Sequence, residues 1–104
     1  MNKRRRPSGR YRETEVRALI ENYAEVLEDR ETYGAGLRAI VGVADLKRAW
    51  RFLARDDRRV LLLVGVMGAT HRDAGVALEK SHAWVGKRYR KALEELTWLM
   101  NGGI

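Results

Sequence analysis

The stretch that decides the fold runs from Thr70 to Met100: THRDAGVALEKSHAWVGKRYRKALEELTWLM. Thr70, His71, Arg72 and Asp73 make the hydroxyl-x-x-acid pattern of a capping box, which predicts a helix starting at His71. Small residues at Ala74 and Gly75 let a second helix cross it closely. Ser81 is a helix-capping residue. Beyond it Val85, Tyr89, Ala92, Leu96 and Leu99 recur at helical spacing and form an inward stripe. That leaves His82, Ala83, Gly86, Lys87, Arg90 and Lys91 outward. Two helices so spaced read as a helix-turn-helix, in which the first turns of the second helix meet base edges and later basic residues hold phosphates. The alternative is one unbroken helix from His71 to Met100.

Upstream, Asp45 is placed to open a helix with Leu46, Ala49, Trp50 and Leu53 on one face and Lys47, Arg48 and Arg51 on the other. A further helix is opened by Asp56 or Asp57. Its Val60, Leu61, Leu63, Val64 and Met67 suit the buried centre of a bundle, Gly65 signals close packing, and Gly68 is a left-handed stop. Tyr33–Ala44 is glycine-broken, with a short helix expected around Leu37–Val41. Residues 13–33 predict an amphipathic helix, opened by Thr14 or Glu13, with Val16, Leu19, Ile20, Tyr23, Val26 and Leu27 as its stripe. This stripe packs on the C-terminal domain or, as a second option, forms a homodimer seam. The expected architecture is therefore all-α: a small helical bundle with a C-terminal helix-turn-helix and an N-terminal amphipathic helix after a basic disordered tail.

Charge is distributed unevenly. Residues 1–12 carry six bases and no acid, residues 13–44 have a net charge of −4, and residues 45–104 one of +5, within a total of +7. Residues 1–12 lack periodicity and contain Pro7, Ser8 and Gly9, so they read as a disordered arm. Its Arg4, Arg5 and Arg6 suit phosphates or a minor groove. A basic arm and a basic C-terminal half point to a polyanion partner. The plain alternative is a solvated basic surface.

Other chemistries find little footing. The 104 residues contain no cysteine, which excludes disulfides and thiolate sites. His71 and His82 are the only histidines, with no further ligand at metal-binding spacing, so no metal and no cofactor is expected. Carboxylates sit at capping and amphipathic positions rather than as a converging pair, and no catalytic residues are expected. No apolar run approaches the ~20 residues of a membrane span, and no secretory signal is expected at the N-terminus.

The run from Asp45 to Leu93 resembles region 4 of sigma-70-type factors, especially the short extracytoplasmic-function kind. The matching positions are Asp45 and Leu46; Leu53, then Arg58 to Leu63; and Ser81, Val85, Arg88, Lys91, Ala92 and Leu93. The resemblance covers about half of the chain and implies a region 4-like domain over residues 45–104. It implies that His82, Ala83, Gly86 and Lys87 face promoter bases and that Arg88, Arg90 and Lys91 face the backbone, with Ser81 and Arg72 also on the DNA-binding surface. Without a region 2, such a chain would not open a promoter itself. It resembles small phage transcription regulators of the ArpU type, acting on double-stranded DNA in the cytoplasm of a bacterial host. RNA polymerase is a second candidate partner, and a small terminase-like packaging role is another reading. Three departures bear on the site. Glu79 replaces the turn glycine and would have to accept a left-handed backbone, or the turn must differ; Lys80 replaces a buried aliphatic residue; and Trp84 replaces a threonine of the reading turn, as a DNA-backbone or partner contact or as packing.

Overall fold

The computed structural model describes residues 10–23, 25 and 37–103. Among these, every regular element is helical: α1 (Glu13–Glu21), α2 (Leu37–Trp50), α3 (Arg55–Val60), a π-helical continuation (Leu61–Val66), α4 (His71–Leu78) and α5 (His82–Met100). The chain is a small all-α bundle. α5 is its axis, because α1, α2, α3, the π segment and α4 all pack against it. The inward stripe expected on α5 is the stripe observed: Val85, Tyr89, Ala92, Leu96 and Leu99 are buried.

Local starts and stops follow side-chain chemistry. The Asp73 amide donates to Thr70 Oγ1 at 3.0 Å and the Trp84 amide to Ser81 Oγ at 3.0 Å, so both expected caps form. Gly68 ends the π segment at φ 75°. α1 differs from expectation at its entrance. Arg12 is its N-cap, and the Glu15 carboxylate reaches back to the Arg12 amide at 2.9 Å, so neither Thr14 nor Glu13 opens it. Glu13 and Glu15 remain in the first turn, where the helix dipole favours carboxylates. Residues 26–33, with Val26 and Leu27, lie outside the described residues. Val16 and Ile20 are fully buried within the chain's own core, so this part of the stripe is not a free dimer seam.

Three expectations are corrected upstream. α2 runs from Leu37 through Gly42 to Trp50, so Asp45 lies inside a helix rather than at its start, and residues 33–36 of the glycine-broken segment lie outside the described residues. It accepts there from the Tyr11 hydroxyl at 2.6 Å, from Arg10 Nη1 at 3.3 Å and from Arg48 Nη2 at 3.4 Å. α3 begins at Arg55 after Ala54, so Asp56 and Asp57 occupy its first turn rather than its cap. Arg58 Nη1 donates to the Leu53 carbonyl at 2.7 Å and closes the corner between α2 and α3. Met67, expected inside, is 66% exposed at the end of the π segment.

The π segment has a visible cause. A Cβ on Gly65 would collide with Ile20 Cγ2 and lie 3.3 Å from the Tyr89 hydroxyl, so α1 and α5 press on the helix at one point. Widened winding there, with the Met67 amide bonding the Leu62 carbonyl at 2.9 Å, admits both neighbours.

Arg10, Tyr11 and Arg12, expected to belong to the disordered arm, are held against the fold, and residues 1–9 lie outside the described residues. The Arg10 and Tyr11 amides both donate to Asn101 Oδ1 at 2.8 Å, and Asn101 Nδ2 donates to the Tyr11 carbonyl at 2.9 Å. Asn101 follows the last turn of α5, so this clasp fixes where the basic arm departs. Tyr11 is buried there, and its hydroxyl pKa is raised by burial and then by the bond to Asp45.

Candidate nucleic-acid interface

The two C-terminal helices are joined by a true turn. Glu79 adopts φ 59°, ψ 45°, the left-handed conformation, and the Lys80 amide donates to the Gly75 carbonyl at 2.8 Å. This is the Schellman closure normally made with glycine at the left-handed position. Gly75 permits it from the other side, since a Cβ there would stand 2.6 Å from the Lys80 carbonyl oxygen. The unbroken-helix alternative is thereby excluded.

Beyond the turn, the outward face of α5 carries His82, Ala83, Lys87, Arg90 and Lys91, all exposed, with Ser81 exposed at the cap. Lys87, Arg90 and Lys91 lie three and four residues apart and share one side of the helix. Among the described residues no carboxylate pairs with any of them, whereas Arg10, Arg17, Arg48, Arg59 and Arg88 each have one. Arg72 is exposed in the first turn of α4. Arg4, Arg5 and Arg6 lie outside the described residues.

Two of the expected site residues, Gly86 and Arg88, are placed differently. Gly86 does not face outward: the His71 ring lies over it, with Nδ1 3.2 Å from where a Cβ would be. His71 also stands 6.4 Å from the Tyr89 ring, centroid to centroid, and so wedges between α4 and α5. Arg88 is turned toward α3, where Nη1 lies 3.3 Å from Asp57 Oδ1. Trp84 is half-buried, with the Arg88 guanidinium 5.5 Å and Lys80 Nζ 5.0 Å from its ring centroid. Cations this close to an indole are attracted to its π face.

Lys80 and Asp57 are the neighbours of the candidate site that sequence reasoning missed. The signal for Lys80 is its position four residues before Trp84 across the turn. Asp57 offers no local signal, because its partner is 31 residues away.

The described residues contain no group of His, Cys, Asp and Glu able to hold a metal ion, and no helix long and apolar enough to cross a membrane. The exposed, unpaired cations on the second of two tightly joined helices can bind an extended polyanion, and the capped helix N-terminus presents His82 and Ala83 beside them. No protein-family model matches the chain, and no curated protein or solved structure matches it either.

Proposed function

We propose that this chain is a DNA-binding transcription regulator, of the sigma region 4-like, phage-type kind its sequence resembles, which docks the first turns of α5 in the major groove of duplex DNA. The observation that carries this reading is the face of Lys87, Arg90 and Lys91, exposed and without carboxylate partners on the helix that follows the Glu79 turn. Phosphate capture by these cations supplies affinity, and His82 and Lys87 meet base edges. Ala83 offers only an apolar contact and Gly86 is covered, so sequence preference rests on few groups and on DNA shape.

The test is titration of duplex DNA at several salt concentrations with the full chain and with residues 10–104. The cut must preserve Arg10 and Tyr11, because they are clasped by Asn101. Retained binding with a shallower salt dependence identifies α5 as the reader and residues 1–9 as an accessory arm. Loss of all binding on removing the arm would count against the reading.

A second reading draws on another face. Tyr23, Leu46, Trp50, Leu62 and Val66 line an apolar groove of about 300 Å³ between α1, α2 and the π segment, with Lys47 at its edge. It supports a protein-interaction module gripping RNA polymerase or a sigma factor. Capture of purified polymerase by nuclease-treated protein, lost in Leu62→Glu, would favour it.

A further inference from the structure

Among the described residues, Asp57 is the one charged side chain in the buried class, at 7% exposure. A carboxylate so placed needs a cation or donors, since burial strips its water. Its position in the first turn of α3 brings it against the second turn of α5, where Arg88 Nη1 is 3.3 Å away. The same guanidinium lies 5.5 Å from the Trp84 ring centroid. Arg88 is thus held between a carboxylate of one helix and an indole of its own. Its neighbours on α5, Lys87 and Lys91, have no such restraint.

We propose that Asp57 is a positioning residue that withholds Arg88 from the DNA backbone and so sets how many phosphates the reading helix can neutralise. The proposal rests on the DNA-binding reading above. For Arg88 to swing out to a phosphate, Asp57 would be left buried without its cation. The phosphate therefore competes against both the ion pair and the indole contact, and Arg88 stays with Asp57 in the complex. The held Arg88 in turn fixes Trp84 beside Lys80, which keeps the side of α5 facing α3 rigid while the opposite side meets DNA.

The consequence has an unusual sign. A residue that merely supports the fold weakens binding when altered, whereas releasing Arg88 should strengthen it. Asp57→Asn keeps the shape and a hydrogen-bonding oxygen but removes the charge. In this variant the slope of log K against log salt concentration should steepen by about 0.9, the value for one added phosphate contact on duplex DNA, and low-salt affinity should rise several-fold. Glu94→Gln, an equal charge change on the exposed far half of α5, controls for net charge and should leave the slope as it is. Adding Arg88→Gln to Asp57→Asn should return the slope to the wild-type value.

In wild-type background, Arg88→Gln should leave the slope unchanged while Lys87→Gln lowers it by about 0.9. This arm stands even if Asp57→Asn does not fold. Equal losses of slope in Arg88→Gln and Lys87→Gln, or a folded Asp57→Asn with an unaltered slope, would overturn the proposal and leave the DNA-binding reading intact. Wild-type protein without salt-dependent duplex binding would overturn both.

Discussion

The Tyr89 hydroxyl donates to a Glu21 carboxylate oxygen at 2.9 Å and ties α5 to α1 across 68 residues of chain. Arg17 Nε shares that oxygen at 3.1 Å. Burial, and then the bond and charge of Glu21, push the Tyr89 pKa from 10.0 up to about 12. The folded state therefore holds this proton more tightly than the unfolded chain does. The stability it contributes is full below pH 10 and is lost as the pH rises toward 12. Tyr89→Phe should cost about 1–2 kcal/mol at pH 8, and the gap to wild type should close above pH 10. Urea midpoints measured from pH 8 to 12 check this. A gap that does not change with pH would refute it.

Glu79 is the described non-glycine residue with positive φ, at 59°. A side chain in this region costs about 1–2 kcal/mol, part of which glycine returns through its freer unfolded state. Glu79→Gly should raise stability by about 0.5–1 kcal/mol while leaving the Schellman closure intact. Thermal or denaturant unfolding measures it; a loss of stability would mean that the glutamate side chain supports the turn.

Asn101 holds three main-chain groups of the N-terminal arm. Asn101→Ala should cost about 1–2 kcal/mol, since water replaces the lost partners once the arm lifts. Limited trypsin digestion after Arg10 and Arg12 should accelerate well beyond that of wild type. Unchanged cleavage would show that Tyr11 packing alone retains the arm.

Lys87→Glu places a carboxylate on an exposed face with no neighbouring carboxylate pair, so folding should be unaffected to within about 0.5 kcal/mol. Duplex DNA affinity should fall at least tenfold at low salt, with a shallower salt slope. Arg90→Glu and Lys91→Glu should follow the same pattern. Near-wild-type binding in all three folded variants would move the interface elsewhere.

What could be read in advance follows from how far apart the partners lie in the chain. Thr70 and Ser81 announce the last two helices because a cap acts on the amide three residues later. The α5 stripe is equally local, since helical periodicity encodes it. Asp45 illustrates the opposite case. As a helix opener it is chemically reasonable, yet its partner Tyr11 is 34 residues away and its helix begins at Leu37. Glycines at positions 34, 36 and 42 suggest breaks, yet Gly42 packs under Leu19, where a Cβ would lie 3.6 Å from Leu19 Cδ2, inside α2. The candidate interface divides in the same way. Exposure of Lys87, Arg90 and Lys91 follows from the helix phase, whereas Arg88 is diverted by a carboxylate that no local pattern connects to it.

The Asn101 clasp also makes the described fold nearly circular. Arg10 binds Asn101, two residues before Gly103, at the end of α5, and that helix carries 19 residues, or about 28 Å at 1.5 Å per residue, between this end and Ser81. A short glycine-rich bridge from Gly103 to Arg10 would join the two ends without crossing the reading face. A permuted chain opened between α3 and α2, at the exposed Phe52 corner, would keep every helix and both caps. Tags or tethered domains added at either end of residues 10–103 would emerge together, a full helix length from the groove-facing turns.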